Sequence, residues 1–384
     1  MLDYFIGPDQ PISWIVQFWP VLIISFVSAL AATSLCKKIA LKLGIVDRPD
    51  DLVKTHKGTV AYLGGIGMLI GLIAGVLAGI YCIRDHEYFS RAFTWLVGVI
   101  AGAAIACFIG LVDDIFDIKP WQKLLGQVVA AGSLIVVGIR PALNFVHTYF
   151  NVEVPPDIEA LIGIPIVIMF VLGATNSLNL LDGLDGLCAG VTVIIAAALL
   201  LLTVHLGTWG SYQVGDPVRA IICLGLLGAV CGFLPFNRYP AKIFMGDAGS
   251  MLLGFIVAAL MMLFATKSIR WWMASIVVFG LPILDTAVAL IRRFLNKRPL
   301  FVSDRGHIYD QMIDRGIPLK KTVKICYGLA ALYALIGLAL SIRIRARHAL
   351  PIYVAVFVVS GIVVWKKGYL KMKGLRGAIR KEGE

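Results

Sequence analysis

Charge is scarce in this chain: aspartate, glutamate, lysine and arginine make up 15% of 384 residues, against 59% hydrophobic residues. One soluble core cannot hide that much apolar surface without many more polar residues to cover it. A water-soluble globular protein is excluded, and a polytopic membrane protein is expected. Paired cysteines are missing too. The seven cysteines stand singly, mostly in apolar runs (Cys107, Cys188, Cys223, Cys231), with no CxxC spacing. That argues against disulfides or a zinc centre and leaves them as small core residues. No internal repeat and no low-complexity linker interrupts the chain, so residues 1–384 read as a single integral-membrane domain. Basic residues do not lead the first apolar stretch, about Ser13 to Leu35; Asp3 and Asp9 precede it. Its length suits a span better than a cleaved signal peptide, and no segment is expected to be removed.

What is abundant is apolar runs long enough to cross a bilayer. They begin near Ser13, Val60, Thr94, Leu124, Leu161, Ala189, Val218, Ser250, Trp271, Val323 and Leu350, which predicts an all-α protein of about eleven transmembrane helices. Trp95, Trp209, Trp271, Trp272 and Trp365 fall near expected ends, where indole rings prefer to sit. Most of the 35 lysines and arginines lie in the loop from Leu35 to Thr59, in alternate later loops and in the tail after Trp365. That imbalance sets the N-terminus outside and the C-terminus in the cytoplasm, in the cell's inner (plasma) membrane. The net charge of +12 is therefore read as an orienting signal and not as a nucleic-acid footprint. The basic tail also suits anionic lipid.

The few acids are not scattered. Four clusters sit in gaps that the span count puts on the cytoplasmic side: Asp113-Asp114-Ile-Phe-Asp117, Asn176 to Gly186, Met245-Gly246-Asp247-Ala-Gly249-Ser250, and Asp304-Arg305-Gly306-His307. If the third helix persists one more turn, Asp113 and Asp117 share a face beside Asp114. Like charges that close call for a cation, and Mg²⁺ on a phosphorylated substrate would supply it. A solvated loop of spare carboxylates is the plainer alternative.

In the second cluster Asn176, Asn179, Asp182 and Asp185 recur every third residue, so a continuous helix would face them apart; Gly183 and Gly186 argue for a break that curls them back. Such a helix end can hold a metal or read a nucleoside, or simply be capped by Asn and Asp. Asp247 opens the eighth span, where it is either the N-cap or a metal ligand beside helix-terminal amides that meet a phosphate. Arg305 and His307 are candidates to grip a diphosphate. Lys54, His56, Lys57 and Lys123 either orient the protein or balance the acids as phosphate contacts. Asp285 is deeper, and a carboxylate within a span is functional by default; it is a supporting residue here.

Together these motifs resemble the polyprenyl-phosphate N-acetylhexosamine-1-phosphate transferases of glycosyltransferase 4 type, and most closely the bacterial undecaprenyl-phosphate GlcNAc-1-phosphate transferases. The resemblance runs from Val46-Asp47-Arg48-Pro49, His56-Lys57-Gly58 and Gly64-Gly65 through Asp113-Asp114-x-x-Asp117, Lys123-Leu-Leu-Gly-Gln127 and Asn179-Leu-Leu-Asp182-Gly-Leu-Asp185-Gly. It continues through Met245-Gly-Asp247-Ala-Gly-Ser to Asp304-Arg305-Gly306-His307. It implies that a polyprenyl phosphate attacks the sugar-linked phosphorus of a UDP-sugar, releasing UMP and leaving a lipid-diphosphate sugar, the first lipid-linked step of a cell-envelope glycan. It also implies Mg²⁺, with Mn²⁺ as a substitute, held by Asp247 and Asn179. Asp113, Asp114 and Asp117 would act at the lipid phosphate. Asn176, Asp182, Asp185, Lys54, Lys57, Lys123, Arg305 and His307 would bind nucleotide sugar and phosphates. A covalent phospho-aspartate route, the phospho-MurNAc-pentapeptide transferase of peptidoglycan synthesis, and a cation or lipid transporter stand as alternatives. A homodimer is a candidate assembly. One departure is plain: relatives that transfer GlcNAc show His-x-His-His in the last loop, where this chain has His307-Ile-Tyr309-Asp310.

Overall fold

The computed structural model describes residues 16–47, 59–143, 146, 150–207, 215–297, 306–343 and 346–370. Lys54, His56, Lys57, Asp304 and Arg305 lie outside the described residues, as does the basic tail beyond 370. The apolar runs form helices: α1 (Trp19–Leu43), α2 (Gly64–Cys82), α3 (Phe89–Phe116), α4 (Pro120–Val136), α5 (Pro156–Leu181), α6 (Leu187–Gly207), α7 (Gly215–Asn237), α8 (Gly246–Ala265), α9 (Ile269–Val278), α10 (Gly280–Leu295), α11 (Ile308–Asp314), α12 (Leu319–Arg343) and α13 (Ala346–Lys366). Every predicted span has a helix, but not every helix is long enough. Among the described residues eight are long and apolar enough to cross a membrane, or up to nine if α9 and α10 count as one broken span. The shortfall from eleven falls on α4, with 17 residues, and on the apolar stretch Leu350–Lys366.

The single helix expected from Trp271 is instead bent by 69° between α9 and α10. Pro282 stands in the first turn of α10, where its missing N–H and its ring prevent the preceding helix from running through. Among the described residues, three short strands also qualify the all-α expectation. Strand β1 (Val46–Asp47) pairs antiparallel with β2 (Val60–Tyr62), and β2 pairs parallel with β3 (Ile243–Phe244), in the order β1-β2-β3. This clip brings the start of α8 beside the ends of α1 and α2, and the Gly65 amide donates to Met245 O at 3.1 Å.

Close helix approach follows from small residues. Gly67, Gly71 and Gly75 recur a turn apart on α2 against Thr33, Ala29 and Ser25 of α1, so near that any Cβ there would crowd the facing helix. Such seams substitute for the hydrophobic effect between helices already surrounded by lipid. The centre of the bundle is α8, whose apolar window is wholly buried and which packs against α2, α3, α5 and α9. Because α8 is enclosed, whatever its first turn carries is held at the meeting point of its neighbours' ends.

Candidate active site

Four helix ends converge. The C-terminal ends of α3 and α5 and the N-terminal ends of α4 and α8 contribute Asp113, Asn179, Lys123 and Asp247. Lys123 occupies the first turn of α4, which starts at Pro120 and is secured by Gln122 Oε1 accepting the Lys119 amide at 2.9 Å. The Lys123 ammonium donates to Asp113 Oδ2 at 2.9 Å, to Asn179 Oδ1 at 3.4 Å and to Asp247 Oδ2. Asn179 Nδ2 donates in turn to Asp247 Oδ1 at 2.7 Å and to Ser250 Oγ at 3.0 Å. Residues up to 134 apart in sequence thus share one polar knot. Asp247 is its open member, with 29% of its side chain accessible against 15% for Lys123.

Asp114 has a different task from the one its neighbours suggested. Its carboxylate accepts the amides of Asp247 at 2.8 Å and Ala248 at 3.1 Å, so a side chain from α3 caps α8. Gly246 makes this approach feasible: its φ of 69° is left-handed, and a Cβ there would overlap the Asp114 carboxylate. Two expectations are corrected. Asp247 is not the N-cap, because the cap position is Met245 and the capping carboxylate comes from another helix. Nor are these two terminal amides free to meet a phosphate, because Asp114 already occupies them.

The helix carrying Asp113 does not persist past Phe116. Asp117 ends it in the left-handed region, with φ 48° and its amide bonded to Asp113 O. Asp117 is exposed, and with Asp113 it lines one cavity. The second cluster is divided as well. Helix α5 runs intact through Asn179 to Leu181. Asn176 turns to Gln127 Oε1 at 2.9 Å and to Leu172 O at 2.8 Å, which makes it a tie between α4 and α5. Asp185 accepts the Ala241 amide at 2.9 Å. Asp182 is half-buried; its amide donates to Asn179 O at 3.2 Å, and its carboxylate accepts no hydrogen bond among the described residues. Burial, then Asp247, Asp114 and Asp185, push its carboxyl well above the usual carboxylate range.

His307 stands apart from the lysine knot, with Nδ1 2.7 Å from Asp285 Oδ2. Tyr309, at the departure from the relatives' histidine pattern, donates from its hydroxyl to Leu180 O at 2.8 Å. A cavity of about 470 Å³ opens on the knot, lined by Asp47, Tyr62, Asp113, Asp114, Asp117 and Asp247 with residues 44–46 and Ile115. Tyr62 was missed from sequence. Burial, followed by the charges of Asp47, Asp114, Asp182 and Asp247, raises its phenol, so it stays a neutral donor among acids. Its position two residues before the Gly64-Gly65 pair at the head of α2 was the available signal.

Would these residues suit a divalent cation? Three oxygens, from Asp113, Asn179 and Asp247, already converge on one positive group, the Lys123 ammonium, and Asp182 lies nearby with unused acceptors. Among the described residues no group of three or more His, Cys, Asp or Glu could enclose a metal. Mg²⁺ needs no such cage, since it commonly takes one or two protein carboxylates and completes its shell with water and substrate phosphates. The donor set fits.

Fold and site define a class: a polytopic helical membrane protein with an acid, amide and lysine centre at one end of its bundle. Its residues 96–265 match Glycosyl transferase family 4. The chain is 30% identical over 357 residues, 92% of its length and 91% of the relative's, to the probable undecaprenyl-phosphate N-acetylglucosaminyl 1-phosphate transferase of Bacillus subtilis. It is 28% identical over 349 residues (86% of this chain, 84% of the relative) to decaprenyl-phosphate N-acetylglucosaminephosphotransferase of Mycobacterium tuberculosis. It is also 28% identical over 313 residues, 78% of each chain, to undecaprenyl-phosphate alpha-N-acetylglucosaminyl 1-phosphate transferase of Escherichia coli. The chain belongs to glycosyl transferase family 4.

Proposed function

We propose that this protein transfers a sugar-1-phosphate, GlcNAc-1-phosphate in the first instance, from a UDP-sugar to a membrane polyprenyl phosphate. An oxygen of the lipid phosphate attacks the sugar-linked phosphorus, the new P–O–P bond forms as the bond to the uridine-linked phosphate breaks, and UMP leaves. The observation that carries this reading is the meeting of Asp113, Lys123, Asn179 and Asp247 around one cation position. Phosphoryl transfer depends on positioning and charge neutralisation more than on covalent chemistry. Asp113 orients the acceptor phosphate. Little proton abstraction is needed, because a phosphate monoester's second pKa is about 6. Lys123 turns from the carboxylates to the transferred phosphoryl group. Asp247 and Asn179 would hold Mg²⁺, which when bound neutralises the donor diphosphate. Asp114 keeps Asp247 in place by capping α8, and Tyr62 lines the cavity with Asp182 near enough to act on its phenol. The distribution of lysine and arginine supports a site on the cytoplasmic face of the inner membrane.

GlcNAc is favoured over MurNAc-pentapeptide by the names of the relatives. A transporter is disfavoured because the site's acids gather at one end of the bundle and do not line a path through it. The test is release of UMP by purified full-length protein given Mg²⁺, polyprenyl phosphate and UDP-GlcNAc, with chelator as control. Release with UDP-GlcNAc supports the reading. No release from any UDP-sugar by a folded preparation sinks it. Trapping a phosphorylated aspartate with UDP-sugar alone would replace direct attack by the two-step route.

A further inference from the structure

Asp285 is a carboxylate 1% exposed in the first turns of α10, below the bend that separates it from α9. A carboxylate that deeply buried persists only when both oxygens are satisfied. Here Oδ2 is 2.7 Å from His307 Nδ1 and Oδ1 accepts the Ile308 amide at 2.6 Å. The pair fixes both the imidazole and the first turn of α11, which His307 begins in extended conformation. Tyr309 stacks on the imidazole, ring centroids 5.5 Å apart and nearly parallel at 10°. Its hydroxyl reaches Leu180 O, between Asn179 and Asp182. Thr286, the next residue on α10, donates to Ser177 Oγ at 2.9 Å, so one turn of α10 grips both α5 and α11.

We propose that Asp285 is a positioning residue for the transfer reaction: by holding Nδ1 of His307 it leaves Nε2 as the imidazole's free donor, presented to a donor phosphate beside the Asn179–Asp182 helix end. The proposal rests on the transferase reading above. Nε2 has no hydrogen-bond partner among the described residues. A proton held on Nδ1 makes neutral Nε2 an acceptor, useless to a phosphate, and imidazolium Nε2 a donor. Burial opposes that charge, but the Asp285 hydrogen bond and charge, with Asp310, outweigh it and raise the imidazole above its ordinary value; Arg293 acts against them. Among the described residues, the other titratable or charged groups at this assembly are Tyr309 itself, Asp182 from the end of α5, Cys188 of α6, Cys326 of α12 and Arg292 of α10, which donates to Gly306 O.

The test is the pH profile of kcat/KM for the UDP-sugar in full-length wild type, Asp285→Asn, His307→Gln and the double variant. A wild-type basic limb set by His307 should move to lower pH in Asp285→Asn. That gives about a tenfold loss at pH 8 for each unit of movement, with little loss at pH 6. The double variant should be no worse than His307→Gln. A loss in Asp285→Asn that is equal at every pH, or losses that add in the double variant, overturns the proposal, because packing alone would behave that way. If Asp285→Asn does not fold, ¹⁵N-histidine NMR of the wild type decides: a His307 that keeps its Nδ1 proton and titrates above pH 6.5 supports the pairing, and one that titrates below overturns it. Wild type inactive on all UDP-sugars would sink the transferase reading, while active wild type with an unmoved limb sinks only the role of Asp285.

Discussion

Replacing Asp114 with asparagine separates a capping role from a chemical one. The carboxylate accepts two amides at 2.8 and 3.1 Å from the first turn of α8. Asparagine keeps one acceptor oxygen and turns an N–H2 toward the other amide, so one charge-assisted bond is lost, worth about 1.5–3 kcal/mol. Loss of the negative charge at a helix N-terminus adds roughly 0.3–1 kcal/mol. Against this, one fewer carboxylate crowds Asp113 and Asp247, which returns on the order of 1 kcal/mol. The net is roughly 2 kcal/mol of destabilisation, or ~2–3 °C in apparent Tm for a chain this long. Thermal unfolding of purified protein in detergent, followed with a thiol-reactive dye, reads that shift directly. Transfer should fall with it by tenfold or more, because Asp247 rides on the same turn and small displacements at a phosphoryl-transfer centre are amplified. Asp113→Asn, which leaves the cap intact, should lose activity without that fall in Tm. Asp114→Asn with an unchanged Tm and no activity would refute the capping account and return Asp114 to direct action on substrate or metal.

Asp247→Asn should lower kcat by at least about a hundredfold with some fall in Tm, since it removes the open charge of the knot and leaves one acceptor oxygen for the two donors Lys123 and Asn179; steady-state UMP release checks it. Gly183→Ala places a methyl against the Tyr309 ring and hydroxyl. It should cost about 1–3 kcal/mol in stability, partly recovered in Gly183→Ala/Tyr309→Ala, and a double-mutant cycle by thermal unfolding measures the coupling. For His307 the sign follows from its raised folded-state pKa. Its stabilisation is fully present below its ordinary value of about 6.5 and is lost as pH rises through the raised one. The Tm gap between wild type and His307→Gln should therefore be wider at pH 6 than at pH 9, and a gap that widens toward alkaline pH contradicts it.

Composition alone made the membrane class legible, and the apolar runs located a helix for every predicted span. The count was less secure because length, not hydropathy, separates α4 and Leu350–Lys366 from full crossings, and because Pro282 breaks one run in two. The strands were invisible: two or three residues such as Val46–Asp47 carry no period, and β3 pairs with a partner about 180 residues away. The acids were legible as a set because lipid makes them conspicuous. Their division of labour was not. Asp113 and Asp114 are adjacent in sequence, yet a 100° turn of helix aims one at Lys123 and the other at the backbone of α8. Asn176 and Asn179 diverge by the same geometry, one toward Gln127 and one toward Asp247. Which acid meets which partner is decided by how helices are rotated against each other, and spacing along one chain does not encode that.

The position of Lys123 has a consequence of its own. Its ammonium holds oxygens of Asp113, Asn179 and Asp247, two of the three belonging to the residues that would hold Mg²⁺. A divalent cation placed on Asp247 and Asn179 must therefore displace the ammonium or accept a positive charge a few ångströms away, which at an effective dielectric of 20 opposes binding by several kcal/mol before relaxation. Lys123→Met removes both the competitor and the repulsion. Substrate-free protein should then bind Mn²⁺ at least about tenfold more tightly, even if most of the Coulomb term is lost to solvent, while transfer falls because no ammonium remains for the phosphoryl group. Electron paramagnetic resonance titration of free Mn²⁺ measures the affinity without any turnover. An affinity equal to wild type, or weaker, means that lysine and metal do not share these oxygens, and the metal must then be sought among the acids beside Tyr62.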